Sequence, residues 1–202
     1  MMMPQLYYSL LSGHSYKVRL LLSFLGVDYE PALLDLARGD NKTPEYLAIN
    51  PLGQVPVWVD GNVTVRDSQA ILVYLAQSHS DSTWRLPSDP LELSRIIQWL
   101  SVAANEITHG PTAVRNYWRK QPSTIDIELA TKRTHAILTI INDHLATREW
   151  LELDRPTIAD IACFPYISLV HEGKVSLDDY PNVADWVGRF KKLKGYIELV
   201  QG

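Results

Sequence analysis

A chain of 202 residues, 46% hydrophobic and 21% charged, can bury the cores of one large or two small globular domains. Its formal charge of −4 and pI near 5.8 exclude nucleic acid as the main partner, since phosphate binding needs clustered Lys and Arg. No apolar run approaches the roughly 20 residues that span a bilayer, and Met1 to Pro4 lack the basic-then-apolar pattern of a secretory leader, so neither membrane nor export is expected.

The elements follow in chain order. "QLYYS" (5–9) suits a strand, and Val18, Leu21, Leu22 and Leu25 then fall on one helical face that stops at Gly26. Between them lies a turn of small polar residues, Ser12, Gly13 and Ser15. "DYEPALLDL" reads as a second strand. "KTPEYLAIN" reads as a short helix, with Thr43 as cap and Pro44 in the first turn. "NPLG" is a turn, and "VPVWVDGNVTV" is a hairpin closed by Asp60-Gly61-Asn62. "RDSQAILVYLAQS" starts a third helix, with Asp67 or Ser68 at its cap. The order β-α-β-α-β-β-α predicts a small mixed sheet with helices on both faces.

Residues 79–90 are polar and aperiodic and read as a linker. Beyond them every signal is helical: 91–118 with a break at Gly110-Pro111, 124–146, "PTIADIACFPYISLV" opened by a Thr157-x-x-Asp160 capping pattern, and "NVADWVGRFKKL". The expected domains are thus 1–78, α/β, and 91–202, all-α, with 79–90 between. The one cysteine, Cys163, lies in an apolar helix and reads as a buried thiol, which rules out an internal disulfide framework. None of the six histidines forms the i, i+4 pair of a zinc helix, so no metal is expected.

Three stretches carry chemistry. A small-residue turn that leads from a strand into a helix offers backbone N–H groups and the positive end of the helix dipole to an anion. Ser12 and Ser15 have C-x-x-C spacing with hydroxyls in place of thiols. They either cap the helix or hold a thiolate supplied by a ligand. Ser12 with His14 is a poor hydrolytic pair, because residues two apart on a turn seldom face each other. In "GQVPV", Pro56 is either an edge-strand proline or the site of a cis bond that turns the Val55 N–H and C=O toward a peptide-like ligand. Asp67 and Ser68 either cap a helix or bind an ammonium and a carboxylate, the two charges of an α-amino acid.

Taken together, "SLLSGHSYKVRLLL", "TPEYLAINPLGQVPVWVDGNVTVRDSQAILVYLA" and "PTIADIACFPY" resemble the cytosolic glutathione transferases over nearly the whole chain. The resemblance implies a thioredoxin-like N-terminal domain joined to an all-helical C-terminal domain, in a cytoplasmic homodimer. It implies glutathione held as a thiolate and either added to a small electrophile or used to reduce peroxides. By the same resemblance Ser12 stabilises the thiolate and His14 borders the sulfur. Val55 and Pro56 bind the cysteinyl unit, Lys42 and Gln54 the glycyl end, and Asp67 and Ser68 the γ-glutamyl end; Thr157 and Asp160 form a structural cap. Ser9, Tyr7 and Tyr8 rank behind Ser12 for the thiolate. The family's acidic-serine pair is more often Glu-Ser, so Asp67 reaches less far. A docking or regulatory protein of the same fold, or a glutathione-dependent isomerase, are the alternatives. The electrophile pocket is expected between the domains, with Asn105, Ile107, Thr108, Thr112, Tyr117 and Trp118 as candidates.

Overall fold

Four short strands make one sheet in the order β2-β1-β3-β4. β1 (Gln5–Tyr8) pairs parallel with β2 (Glu30–Leu33) and antiparallel with β3 (Val57–Asp60), which pairs antiparallel with β4 (Val63–Arg66). The computed structural model describes residues 3–79, 82–119 and 124–199. Strand alternation sorts the side chains of β1. Tyr7 meets Tyr46 of α2 (Pro44–Ile49), with ring centroids 5.8 Å apart. Leu6 is fully buried, and Tyr8 lies under the Arg19 guanidinium of α1 (Gly13–Leu25).

The helix signals read from the sequence are realised locally. Val18, Leu21 and Leu22 are buried, and α1 ends at Gly26, whose φ of 65° is the left-handed stop that glycine adopts without cost. Thr43 caps α2 by accepting the Tyr46 N–H. Gly61, at φ 56°, turns β3 into β4. α3 (Ser68–Ser78) follows β4 directly and packs on α1.

Contacts divide the chain into two units: the chain up to Arg85 with the segment from Lys194 onward, and Leu86–Leu193. In the first, the C-terminal segment lies along α1. The Tyr16 hydroxyl donates to the Ile197 carbonyl at 2.5 Å and Ser23 Oγ to the Gly195 carbonyl at 2.6 Å. Trp84, in the polar stretch expected to be a linker, is buried and stacks on Phe24 at 4.6 Å. Ser80 and Asp81 of that stretch lie outside the described residues.

Among its described residues the second unit has no strand; its α-helices are α4 (Pro90–Ala104), α5 (Ala113–Arg119), α6 (Ile127–Leu145), α7 (Ile158–Ser168) and α8 (Pro181–Phe190), joined by loops. The break expected at Gly110-Pro111 is a π-turn over Thr108–Thr112. There the backbone comes so near α6 that a Cβ on Gly110 would lie 3.1 Å from the Thr134 nitrogen. Cys163 is buried, and its thiol faces the Trp99 carbonyl at 3.7 Å.

The Thr157–Asp160 capping box forms as read. Asp160, fully buried, accepts from the Leu151 N–H at 3.0 Å and the Trp186 indole N–H at 2.9 Å through Oδ1. Through Oδ2 it accepts from the Thr157 N–H at 2.9 Å and the Thr157 hydroxyl at 3.3 Å. Burial pushes the carboxyl up to about 6, against the opposing pull of these donors. One side chain thus ties the 151 loop, the start of α7 and α8 together. Asp160→Ala removes the cap and leaves buried donors without acceptors. It should cost about 3–4 kcal/mol, the sum of a lost cap and one or two unsatisfied groups. Urea unfolding measures this, and a loss below about 1 kcal/mol would show that the network carries little.

Candidate active site

The sheet register brings the three chemistry-bearing stretches to one edge. Tyr7 pairs with Val57, and Val57 with Arg66. Because β3 runs against β1 and β4 against β3, the segments that follow Tyr8, precede Val57 and follow Arg66 all leave the sheet at the same end. β2 runs parallel to β1, and Leu33 pairs with Tyr8. The chain leading to Lys42 therefore starts from that end as well.

The serine turn is a set of interlocking hydroxyls. Ser12 caps α1, its Oγ accepting the Ser15 N–H at 3.2 Å. Ser15, fully buried, accepts the Ser9 N–H at 3.3 Å. The cap uses a lone pair of Ser12 Oγ and leaves the hydroxyl hydrogen to be donated. The ring of Tyr8 faces Arg19 and that of Tyr7 faces Tyr46. Ser9 is buried, whereas Ser12 is part-exposed.

The strand-entry segment is built from carbonyls held by side chains. Asn41 Nδ2 and Lys42 Nζ donate to the Gly53 carbonyl at 2.6 and 3.3 Å. The Tyr46 hydroxyl and Asn50 Nδ2 donate to the Gln54 carbonyl at 2.6 and 2.7 Å. Burial pushes the Tyr46 phenol up to about 12, so it remains a donor. Gly53 is required here: at φ 60°, a Cβ would lie 2.8 Å from the Asn41 carbonyl oxygen. The Gln54 side chain is left exposed. The Val55–Pro56 bond is cis. Among the described residues, the Val55 N–H and C=O take no hydrogen bond. Asn41, Tyr46 and Asn50 were not singled out in the sequence. Of these only Asn50 carried a signal, as the first residue of "NPLG"; its Oδ1 accepts the Leu52 N–H at 3.2 Å.

At the start of α3, Asp67 is the cap. Its Oδ1 accepts the Gln69 and Ala70 N–H groups at 2.9 and 3.1 Å. Its φ of 74° is unusual for a residue with a side chain. Such a conformation costs on the order of 1–3 kcal/mol and persists only where the surroundings enforce it. Ser68 is buried, and its hydroxyl donates to Gln69 Oε1. His14 Nδ1, on the first turn of α1, lies 3.4 Å from Ser68 Oγ. Burial, and then the charge of Lys17, lower the His14 imidazole to about 3.

Of the six candidates for an electrophile pocket, Thr108 donates its hydroxyl to the Ala103 carbonyl at 3.1 Å. Ile107 and Thr112 are buried, and Tyr117 packs edge-on to Trp118, which is capped by Lys174. Asn105 lines a groove of about 350 Å³ with His109, Arg133 and Ile140.

Comparison with known proteins adds to this geometry. Residues 11–78 match the family model "Glutathione S-transferase, N-terminal domain" and residues 102–189 match "Glutathione S-transferase, C-terminal domain". Glutathione S-transferase 2 of Schizosaccharomyces pombe is 31% identical over 88% of this chain and 81% of its own length. The disulfide-bond oxidoreductase YfcG of Escherichia coli is 29% identical over 89% of this chain and 86% of its own. The crystal structure of a glutathione S-transferase from Pseudomonas fluorescens superposes with a TM-score of 0.90, at 26% identity, over 99% of this chain and all of that one.

A neutral His14 has a measurable consequence. A histidine whose folded value is depressed supports the fold fully above its unfolded value, about 6.5, and loses that support as pH falls toward 3. The imidazole resonances of His14, assigned by their loss in His14→Asn, should stay flat from pH 8 to 5. His14 is half-buried, and a midpoint near 6.5 would show that its ring is not shielded from water.

Proposed function

Because the chain belongs to the glutathione S-transferase family, as a 31%-identical relative and two family models covering 11–78 and 102–189 establish, we propose that it binds glutathione at the sheet edge and transfers it to an electrophile. The observation that carries the reading is the shared edge: a hydroxyl donor at a helix start, an unpaired Val55 backbone and the Asp67-Ser68 helix start converge there. These three features match the thiol, the peptide and the amino-acid end of one tripeptide. The residues fit the group: Val55 offers both a donor and an acceptor to the cysteinyl unit, beside Pro56. Asp67 Oδ2 faces the ammonium and the Ser68 N–H the carboxylate of the γ-glutamyl end. Lys42 and Gln54 take the glycyl carboxylate.

Glutathione supplies the nucleophilic sulfur. An unperturbed thiol has a pKa of about 8.5 and is only a few per cent ionised at pH 7. Lowering it by two units takes roughly 2.7 kcal/mol. A charge-assisted hydrogen bond from Ser12, about 1.5–3 kcal/mol, with about 0.3–1 kcal/mol from the start of α1, suffices. No general base is needed, because the proton leaves to water once the anion is favoured.

Ser12→Ala should raise the pKa of the bound thiol by about one to two units. Turnover near pH 6.5 should fall about ten- to a hundredfold and recover in part at higher pH, with glutathione affinity nearly kept. Ser9→Ala, Tyr7→Phe and Tyr8→Phe should do much less. The measurement is the pH profile of thiolate absorbance and turnover for all four variants. Unmoved profiles in Ser12→Ala would show that another group holds the charge. The assay panel spans aromatic and unsaturated electrophiles, peroxides, isomerisable double bonds and small disulfides. The last arm follows from the similarity to the disulfide-bond oxidoreductase of Escherichia coli. Glutathione binding with inactivity on every arm would favour a docking protein.

The chain is also expected to pair as a homodimer. Exposed Ile97 on α4 and Leu129 and Ile140 on α6 support this. Light scattering should give about twice the 22.9 kDa of one chain; the single-chain mass at micromolar concentration would contradict it.

A further inference from the structure

His14 and Ser68 are 54 residues apart in sequence and come together where α1 and α3 both begin. The direction of their contact follows from what Ser68 already does. Its hydroxyl hydrogen goes to Gln69 Oε1. With that hydrogen given to Gln69, the oxygen is left to accept from His14, which assigns the proton to Nδ1. The imidazole is neutral, so Nε2 carries none. The receiving helix start needs such a tie. It holds Asp67 at φ 74°, and among the described residues the donors to its Oδ1 come from within α3 itself. His14 is itself fixed, in the first turn of a helix whose cap is Ser12.

We propose that His14 is a positioning residue: through Nδ1–H it holds Ser68, and with it the Asp67-Ser68 helix start, in place for the amino-acid end of glutathione. The two ends of the ligand site are thereby linked, since the turn that presents Ser12 to the sulfur also steadies the segment that receives the γ-glutamyl group. This rests on the reading above, that glutathione's amino-acid end binds at Asp67 and Ser68. It assigns His14 to that end of the ligand and not to the sulfur.

Kinetics with glutathione and with cysteinylglycine, which lacks the γ-glutamyl unit, test it in His14→Ala, His14→Asn and His14→Gln, with and without Ser68→Ala. His14→Ala should raise KM for glutathione about three- to tenfold, the size of one neutral hydrogen bond, with kcat within about twofold. KM for cysteinylglycine should not move. In the Ser68→Ala background the His14→Ala effect should shrink to about twofold or less. Asn puts an amide nitrogen where Nδ1 stood and should restore KM; Gln mimics Nε2 and should not. Nitrogen shifts of the wild-type imidazole should show the Nδ1–H tautomer. The proposal is overturned by an Nε2–H tautomer, by a loss in kcat with KM unmoved, by equal losses for both thiols, or by His14→Asn as impaired as His14→Ala. A wild type that binds neither thiol, or both alike, would instead overturn the reading of the ligand itself.

Discussion

The antiparallel pairing of β1 with β3 and of β3 with β4 is the constraint on which the rest of the site depends. The register Tyr7–Val57–Arg66 fixes three chain segments at one edge of the sheet. A shift of a single residue in either pair would turn the alternate side chains to the opposite face. It would carry Tyr7 away from Tyr46, and so loosen the helix whose Tyr46 hydroxyl holds the Gln54 carbonyl. The apolar pattern of the strands therefore secures the polar site: buried Leu6, Val57 and Trp58 hold the register, and the register holds the loops.

The site is made of backbone more than of side chains, and side chains are used to hold that backbone still. Two carbonyls before Val55 each receive two side-chain donors, from Asn41 and Lys42 and from Tyr46 and Asn50. Ser12 and Ser15 brace the turn, and Asp67 braces α3. Such bracing leaves N–H and hydroxyl donors pointed in fixed directions, so little reorganisation is needed when negative charge arrives. A thiolate needs that kind of surrounding. The turn has no thiol of its own, and the one cysteine is buried in α7.

Most of the architecture could be read from local signals, because those signals act locally. Thr43 and Thr157 cap the helices they were expected to cap, Asp67 is the one of the two candidates, Asp67 and Ser68, that caps α3, Gly26 stops α1, and Gly61 turns the hairpin. The break at Gly110-Pro111 also fell where glycine and proline announced it, although it took the form of a π-turn, and Pro56 proved to follow a cis bond, one of the two readings its position left open. Contacts between distant residues gave no such notice. Nothing near Trp84 points to Phe24, and nothing near Gly195 points to Ser23. In the site, the three main stretches were legible because each carries its own turn or cap chemistry. Asn41, Tyr46 and Gln69 were not, since each acts on a backbone or hydroxyl group whose position only the folded chain defines. The approach of His14 to Ser68 is of the same kind.

The central claim is that the Ser12 hydroxyl, at the sheet edge set by this register, faces the sulfur of glutathione. A crystal structure of the protein with glutathione tests it most directly. The sulfur should lie within about 3.5 Å of Ser12 Oγ, with the cysteinyl backbone paired to the Val55 N–H and C=O. A sulfur held by Ser9, Tyr7 or Tyr8, or a tripeptide bound away from Val55, would contradict the account.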